Sequence, residues 1–326
     1  MFTLRFDMRA PAIGASPVDL YRTALELAAW AETRGAATVI VSEHHASVDG
    51  YLPAPMMMAA ALASRTNRVP IMVAIVTLPL YDPVRLAEEL CVLDLLSNGR
   101  VSYVGGVGYR PIEYEMFGVD FHRRGAIAEE SLDLLLRAKT GEPFDHDGRH
   151  LQVTPAPITP GGPRVAWGGG SPAAARRAGR FGLDFLAERG DPELGVAYRE
   201  ACLAHGHQPG NCYLPPKDAA HAVFVADDGD RAWDELGPYL LHDARAYAEW
   251  NRGGKEGTSS VSFAETVAAL RAEAGSYRIL TVEEAIAYGE SGGLLGLHPL
   301  IGGLPPEVAW RYVETVVERV EPALAG

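Results

Sequence analysis

Short apolar runs and longer amphipathic stretches alternate along the whole chain. Met1-Phe2-Thr3-Leu4-Arg5-Phe6-Asp7 alternates with period two, the pattern of a half-buried strand. Val69-Pro70-Ile71-Met72-Val73-Ala74-Ile75-Val76 and Val165-Ala166-Trp167 are continuously apolar, as expected of parallel strands covered on both faces. Strands are expected at 2–7, 37–43, 70–76, 101–106, 164–168, 183–187, 220–226 and 292–298, and helices at 17–34, 53–65, 83–97, 124–138, 172–181, 192–205, 229–250 and 306–323. Four helix starts repeat one chemistry. Ser16-Pro17, Asp82-Pro83, Ser171-Pro172 and Asp191-Pro192 each set a capping side chain before a proline suited to the first helical position. Eight strand-then-helix units predict an α/β fold, a (β/α)8 TIM barrel forming one domain over 1–326. The alternative topology is a doubly wound open sheet.

Two segments stand outside the repeat and read as insertions in the βα loops. Residues 139–163 carry the turn Asp145-His146-Asp147-Gly148 and then several prolines, which suits a small hairpin and an extended connector. Residues 251–280 open on Asn251-Arg252-Gly253-Gly254-Lys255-Glu256-Gly257-Thr258, a polar, glycine-rich stretch that is either a mobile lid or a plain surface loop.

Composition narrows the class. Apolar residues make up 48% of the 326 and charged residues 22%, ordinary values for a globular enzyme. No run approaches the length of a membrane span, and the N-terminus has neither the charged start nor the apolar segment of a secretion signal, so a cytoplasmic protein is expected. The net charge of −13 opposes binding to nucleic acid and to anionic lipid. Cys91, Cys202 and Cys212 are odd in number and lack metal-ligand spacing, which fits a reducing compartment.

Glu43, His44 and His45 follow the apolar run Ala37-Thr38-Val39-Ile40-Val41, so three proton-transferring groups emerge at a strand's C-terminal end, where α/β barrels place chemistry. Ordinary loop histidines are the plainer reading. Metal is disfavoured, because adjacent residues on a strand point to opposite faces. Glu43 and Glu188 could instead be the carboxylate pair of a glycoside hydrolase. The run Gly105-Gly106-Val107-Gly108 ends the fourth strand, and Gly168-Gly169-Gly170-Ser171-Pro172 ends the fifth as a helix opens. The amides of Gly170 and Ser171 would then stand at a helix N-terminus, where unpaired N–H groups and the dipole favour phosphate. Neither run matches a P-loop or a dinucleotide fingerprint. A phosphorylated cofactor across the barrel mouth fits better.

Taken together these segments resemble the bacterial luciferase-like flavin-dependent monooxygenases. The likeness rests on Ser42-Glu43-His44-His45, on Leu78-Pro79-Leu80-Tyr81-Asp82-Pro83-Val84-Arg85 and the helix that follows, and on Leu93-Asp94-Leu95-Leu96-Ser97-Asn98-Gly99-Arg100 leading into the glycine-rich strand. Phe117-Gly118-Val119 with Arg124, and His298-Pro299-Leu300-Ile301-Gly302-Gly303-Leu304-Pro305-Pro306-Glu307, add to it. The resemblance implies a barrel that takes reduced FMN (FMNH2) from a separate NAD(P)H:flavin reductase and uses O2 to oxidise an organic small molecule through a C4a-peroxyflavin. It implies a ring lying against Ala74 and Ile75, where the family often has a non-proline cis peptide, and against Gly106 and Val107. The phosphate would meet Gly169, Gly170 and Ser171, with Arg124 as charge partner. His44 takes the principal catalytic role, with His45 and Glu43 beside it.

The chain also departs from luciferase. Val107 aligns with an arginine beside the phosphate and Ala174 with a helix hydroxyl, and luminescence does not follow. Tyr51, Tyr81, Tyr109, Trp250 and His298 are candidates to line the substrate pocket, Met56 to Met58 reading more readily as core. Other readings on the same fold are an F420-dependent oxidoreductase, associated with an aspartate–histidine motif, and a non-catalytic flavin-binding subunit. Family members are often homodimers.

Overall fold

In a computed structural model that describes residues 1–216, 219–251 and 261–325, strands and helices follow one another in the expected alternation. The first half runs β1 (Phe2–Phe6), α1 (Pro17–Ala31), β2 (Ala36–Val41), α2 (Pro55–Arg65), β3 (Ile71–Thr77), α3 (Pro83–Ser97), β4 (Val101–Gly106), α4 (Pro111–Phe117) and α5 (Arg124–Ala138). Next come the hairpin β5 (Phe144–His146) and β6 (Arg149–Leu151), then β7 (Arg164–Gly169), α6 (Pro172–Arg180), β8 (Phe185–Ala187), α7 (Pro192–Ala204) and β9 (Cys212–Tyr213). The chain closes with β10 (Ala222–Val225), α8 (Gly229–Trp250), α9 (Val267–Glu273), β11 (Tyr277–Leu280), α10 (Val282–Glu290), β12 (Leu295–Leu297), α11 (Pro306–Thr315) and α12 (Glu321–Ala325). All four proline starts are capped as their chemistry requires. Ser16 accepts from the Asp19 amide, Asp82 from Val84 and Arg85, Ser171 from Ala174, and Asp191 from Glu193.

The expected insertion at 139–163 holds the β5–β6 hairpin, antiparallel, with Asp147 and Gly148 both at positive φ as a two-residue hairpin turn demands. The 251–280 segment differs from its reading as an insertion. Residues 252–260 lie outside the described residues, but α9 and β11 belong to the regular fold, and β11 pairs in parallel with β10 over four residues. Its apolar run is broken by Arg278, which hid the strand in the sequence.

The chain forms two compact bodies. One comprises Met1–Ile40, Ser47–Pro53 and Pro216–Gly326, and the other Val41–Ala46 and Ala54–Pro215. In the first, the strand order is β11-β10-β12-β1-β2, and Phe2, Leu4 and Phe6 of β1 are fully buried on one face. In the second, the order is β3-β4-β7-β8-β9, and the pairings are parallel throughout.

A buried charge cluster occupies the first body. Past β1 the chain turns through Met8, at φ 62°, and delivers Arg9 into the interior. Its Nε lies 3.3 Å from Asp7 and 3.0 Å from Asp243, and its Nη1 lies 2.5 Å from Asp49. The guanidinium also sits over the rings of Tyr51, Tyr247 and Trp250, at 4.7, 5.0 and 4.4 Å. His221 reaches Asp243 at 3.2 Å, and Tyr277 donates to the same carboxylate at 2.8 Å. A buried cation among three carboxylates is held by geometry; removing it strands the anions. Arg9→Met is therefore expected to cost about 3–5 kcal/mol of unfolding free energy, measured by urea denaturation.

Burial pushes His221 down to about 4 from its ordinary 6.5. The unfolded chain therefore takes up a proton between those values that the folded chain refuses, so this stability is complete above pH 6.5 and declines as pH falls toward 4. The loss expected is about 3 kcal/mol. It is read as a pH-dependent unfolding free energy that flattens in His221→Gln.

Candidate active site

β2 ends at Val41, and Ser42-Glu43-His44-His45 runs on beyond it as irregular chain in the second body. The two neighbouring imidazoles do not share a carboxylate. His45 Nε2 lies 2.7 Å from Glu43 Oε1, and His44 Nδ1 lies 2.8 Å from Glu113 Oε1. Each pair is held from outside. Glu43 accepts from the Thr77 amide at 3.2 Å and from the Tyr81 hydroxyl. Glu113 accepts from the His45 amide at 2.9 Å and from Arg110 Nη1 at 3.0 Å, and Arg110 also donates to the His45 carbonyl. The Tyr109 hydroxyl stands 3.5 Å from His44 Nε2, and the Phe117 ring packs edge-on against His45 at 4.7 Å.

Electrostatics divides the two carboxylates. Burial raises Glu43 above the usual carboxylate range, only partly countered by His45, the Thr77 amide and Tyr81. Burial acts on Glu113 in the same direction, but the hydrogen bond and charge of His44, the His45 amide and Arg110 together bring it below that range. Opposed shifts in adjacent groups mark a site that can hold and move a proton. Tyr81 is raised far above its ordinary value by burial and then by Glu43, so it remains a donor.

Glu113 was not visible in the sequence, where no element was expected between 106 and 124. It sits on α4, which has no capping side chain at Arg110 but does have Pro111 at its start and Gly118 at φ 68° past its end. That proline-start, glycine-stop pair was the available signal. The Tyr114 hydroxyl donates to the Val107 carbonyl and ties α4 to the exit of β4.

The remaining candidates fall into two groups. The Ala74–Ile75 peptide is cis, and the β3–β4 register shifts between Ala74 and Val76. The glycines of β4 serve protein neighbours: a Cβ on Gly105 would lie 2.9 Å from the Trp167 ring, and one on Gly106 would lie 2.6 Å from Ile75 Cγ2. At the start of α6, Gly169 has φ 148° and its Cβ would lie 2.7 Å from that of Ala174. Gly170 is half-buried beside Glu188, and Ser171 is exposed. These bare main-chain donors at a helix N-terminus fit a phosphate, although the Glu188 carboxylate opposes it. Arg124 donates to the Phe121 carbonyl and lies over that ring at 3.9 Å. Tyr81 and Tyr109 belong with the histidines, whereas Tyr51, Trp250 and His298 belong to the first body, where Tyr51 and Trp250 pack on Arg9 and the buried His298 lies 3.5 Å from Asp7.

The profile of the luciferase-like monooxygenases matches residues 3–290. The chain belongs to that family. Among relatives of this luciferase-like protein, the 4-hydroxyprotoasukamycin monooxygenase of Streptomyces nodosus subsp. asukaensis is 30% identical over 241 residues, 69% of this chain and 64% of the relative. The F420-dependent glucose-6-phosphate dehydrogenase of Kribbella flavida is 32% identical over 200 residues, 58% of each. The chain spans between 40% and 65% of the length of the curated relatives it matches. The fold is α/β, of the TIM-barrel class shared by these enzymes. Its likeness to the monooxygenase RslO1 from Streptomyces bottropensis has a TM-score of 0.76 at 23% identity, over 99% of both chains. The oxygenating constituent of 3,6-diketocamphane monooxygenase from Pseudomonas putida, a type II Baeyer–Villiger monooxygenase in complex with FMN, gives 0.69 at 19%, over 99% and 98%.

A lowered carboxylate contributes stability above its unfolded pKa and loses it as pH falls through the folded value. Glu113→Gln should therefore cost about 2–3 kcal/mol at pH 7, with the difference from wild type closing below pH 4 or so. Urea denaturation at the two pH values checks it.

Proposed function

We propose that this luciferase-like protein is a flavin-dependent monooxygenase that takes reduced FMN from a separate reductase and oxidises an organic small molecule with O2. The observation that carries the reading is the pair of separately held imidazoles, His44 on Glu113 and His45 on Glu43, beyond the end of β2. The bound dihydroflavin supplies the activation of oxygen, and the protein supplies position, proton control and exclusion of water. The amides of Gly170 and Ser171 would receive the phosphate, and Ala74, Ile75 and Val107 would hold the ring.

Glu113, kept ionised, accepts from His44 Nδ1–H and so fixes the tautomer that leaves Nε2 as the atom moving a proton. Tyr109 stands beside that nitrogen. His45 keeps Glu43 within hydrogen-bond distance and is a supporting group rather than the principal acid or base. The substrate would be an organic molecule of moderate size, contacted by Tyr81 and Tyr109 beside the histidines.

The test is anaerobic titration of the purified protein with photoreduced FMN and with reduced F420, followed by admission of oxygen. FMN is expected to bind and to give an oxygen-dependent absorbance transient. In His44→Ala the oxygen-dependent oxidation of substrate should slow about 100- to 10,000-fold with flavin affinity nearly unchanged. Tight binding of F420 with hydride transfer and no oxygen-dependent transient would replace this reading with the F420-dependent one. A flavin complex inert to oxygen would make the protein a binding subunit.

A further inference from the structure

Away from the histidines, α6 and α7 enclose a groove of about 540 Å3 whose third side is Glu129 of α5. The two helices touch at Gly179, where a Cβ would lie 2.5 Å from the Tyr198 carbonyl oxygen, and the small side chains of Ala173, Ala197, Ala201 and Ala204 leave a trough on the outer side of that contact. Its volume suits a small ligand or one end of a larger one.

Charge defines what would fill it. Arg180 follows Arg176 by four residues and Arg177 by three, the spacings that bring side chains together along α6. Facing them are Glu129 and Glu200, so the groove carries a local excess of one positive charge on a chain whose net charge is −13. Arg177 and Arg180 share the one carboxylate of Glu129, at 3.2 and 2.7 Å, and Arg176 makes no ion pair among the described residues. Arg177 is 9% exposed, and its buried Nε has no hydrogen-bond partner. Its Nη2 is held by Glu129 and by the Gly125 carbonyl at 3.3 Å and its guanidinium lies over the Trp167 ring, so Arg177 is a fixed charge in the floor of the groove. Arg176 and Arg180 are exposed and can swing to a ligand at little cost.

We propose that the α6–α7 groove is a second anion site, taking a ligand that carries two or more phosphate or carboxylate groups. Planar guanidinium forks suit both acceptors. Ala173, at one end of the trough, follows Ser171 by two residues, so the groove begins where the proposed cofactor phosphate ends. The occupant is either the anionic continuation of a cofactor held at Gly170 and Ser171 or a separate oligoanion; the first source rests on the cofactor reading above, the anion site itself does not.

Calorimetric titration with inorganic tripolyphosphate, on the wild type and on Arg176→Gln/Arg180→Gln, tests it. One saturable site is expected in the wild type, weakened at least 10-fold in the double variant, and weakened in the wild type by added salt. Absence of binding, or equal affinity in both proteins, overturns the proposal. Titrations with FMN and with F420 bearing an oligoglutamyl tail then identify the source. Loss of F420 affinity in the variant with FMN unchanged assigns the groove to a cofactor tail, and loss of tripolyphosphate binding alone assigns it to a separate ligand. If FMN binds to neither protein while tripolyphosphate still distinguishes them, the cofactor reading falls and the anion site stands.

Discussion

Two neighbouring imidazoles at the end of a strand, His45 buried and His44 nearly so, each need a hydrogen-bond partner, and here each partner is a separate carboxylate around which the local structure is arranged. Glu43 is adjacent in sequence and serves His45. His44 requires a partner from elsewhere, and α4 exists in a position to supply it: Glu113 is fully buried, holds His44 and the His45 amide on one oxygen, and is itself held by Arg110. The His44–Glu113 contact thus joins the exits of β2 and β4, because Tyr114 on the same helix is tied to Val107. One carboxylate is drawn toward ionisation and the other away from it, by different balances of burial against hydrogen bonding.

The first body solves a different problem with similar residue types. Asp7, Asp49 and Asp243 surround Arg9, with His221 on Asp243 and His298 beside Asp7, and the aromatic rings of Tyr51, Tyr247 and Trp250 cover it. Polar residues near strand ends therefore serve two arrangements in one chain: separately paired imidazoles and carboxylates in one body and neutralisation of a buried guanidinium in the other. Tyr51 and Trp250 pack on Arg9, and His298 lies beside Asp7, within that cluster.

Much of this was legible in the sequence where local chemistry dominates. The four proline starts fixed α1, α3, α6 and α7 because capping depends on a few adjacent residues. Glu43, His44 and His45 were readable because an apolar run ends just before them. What escaped depends on tertiary partners. Glu113 has no motif of its own and acquires its role only when α4 is brought under His44. β9 is two residues long and β11 contains an arginine, so pairing with neighbours, not pattern, makes them strands. α10 did carry a capping box, Thr281 with Glu284, in a stretch between 280 and 292 where no element was expected. The glycines of β4 invite a ligand in sequence, but in the structure Trp167 and Ile75 fill the space they leave.

The most direct test is a crystal structure with FMN bound. The account predicts the phosphate on the amides of Gly170 and Ser171, the isoalloxazine along Ala74 and Ile75, and His44 Nε2 facing the ring while Nδ1 remains on Glu113. FMN bound elsewhere, or bound there with His44 turned from both the ring and Glu113, would contradict it.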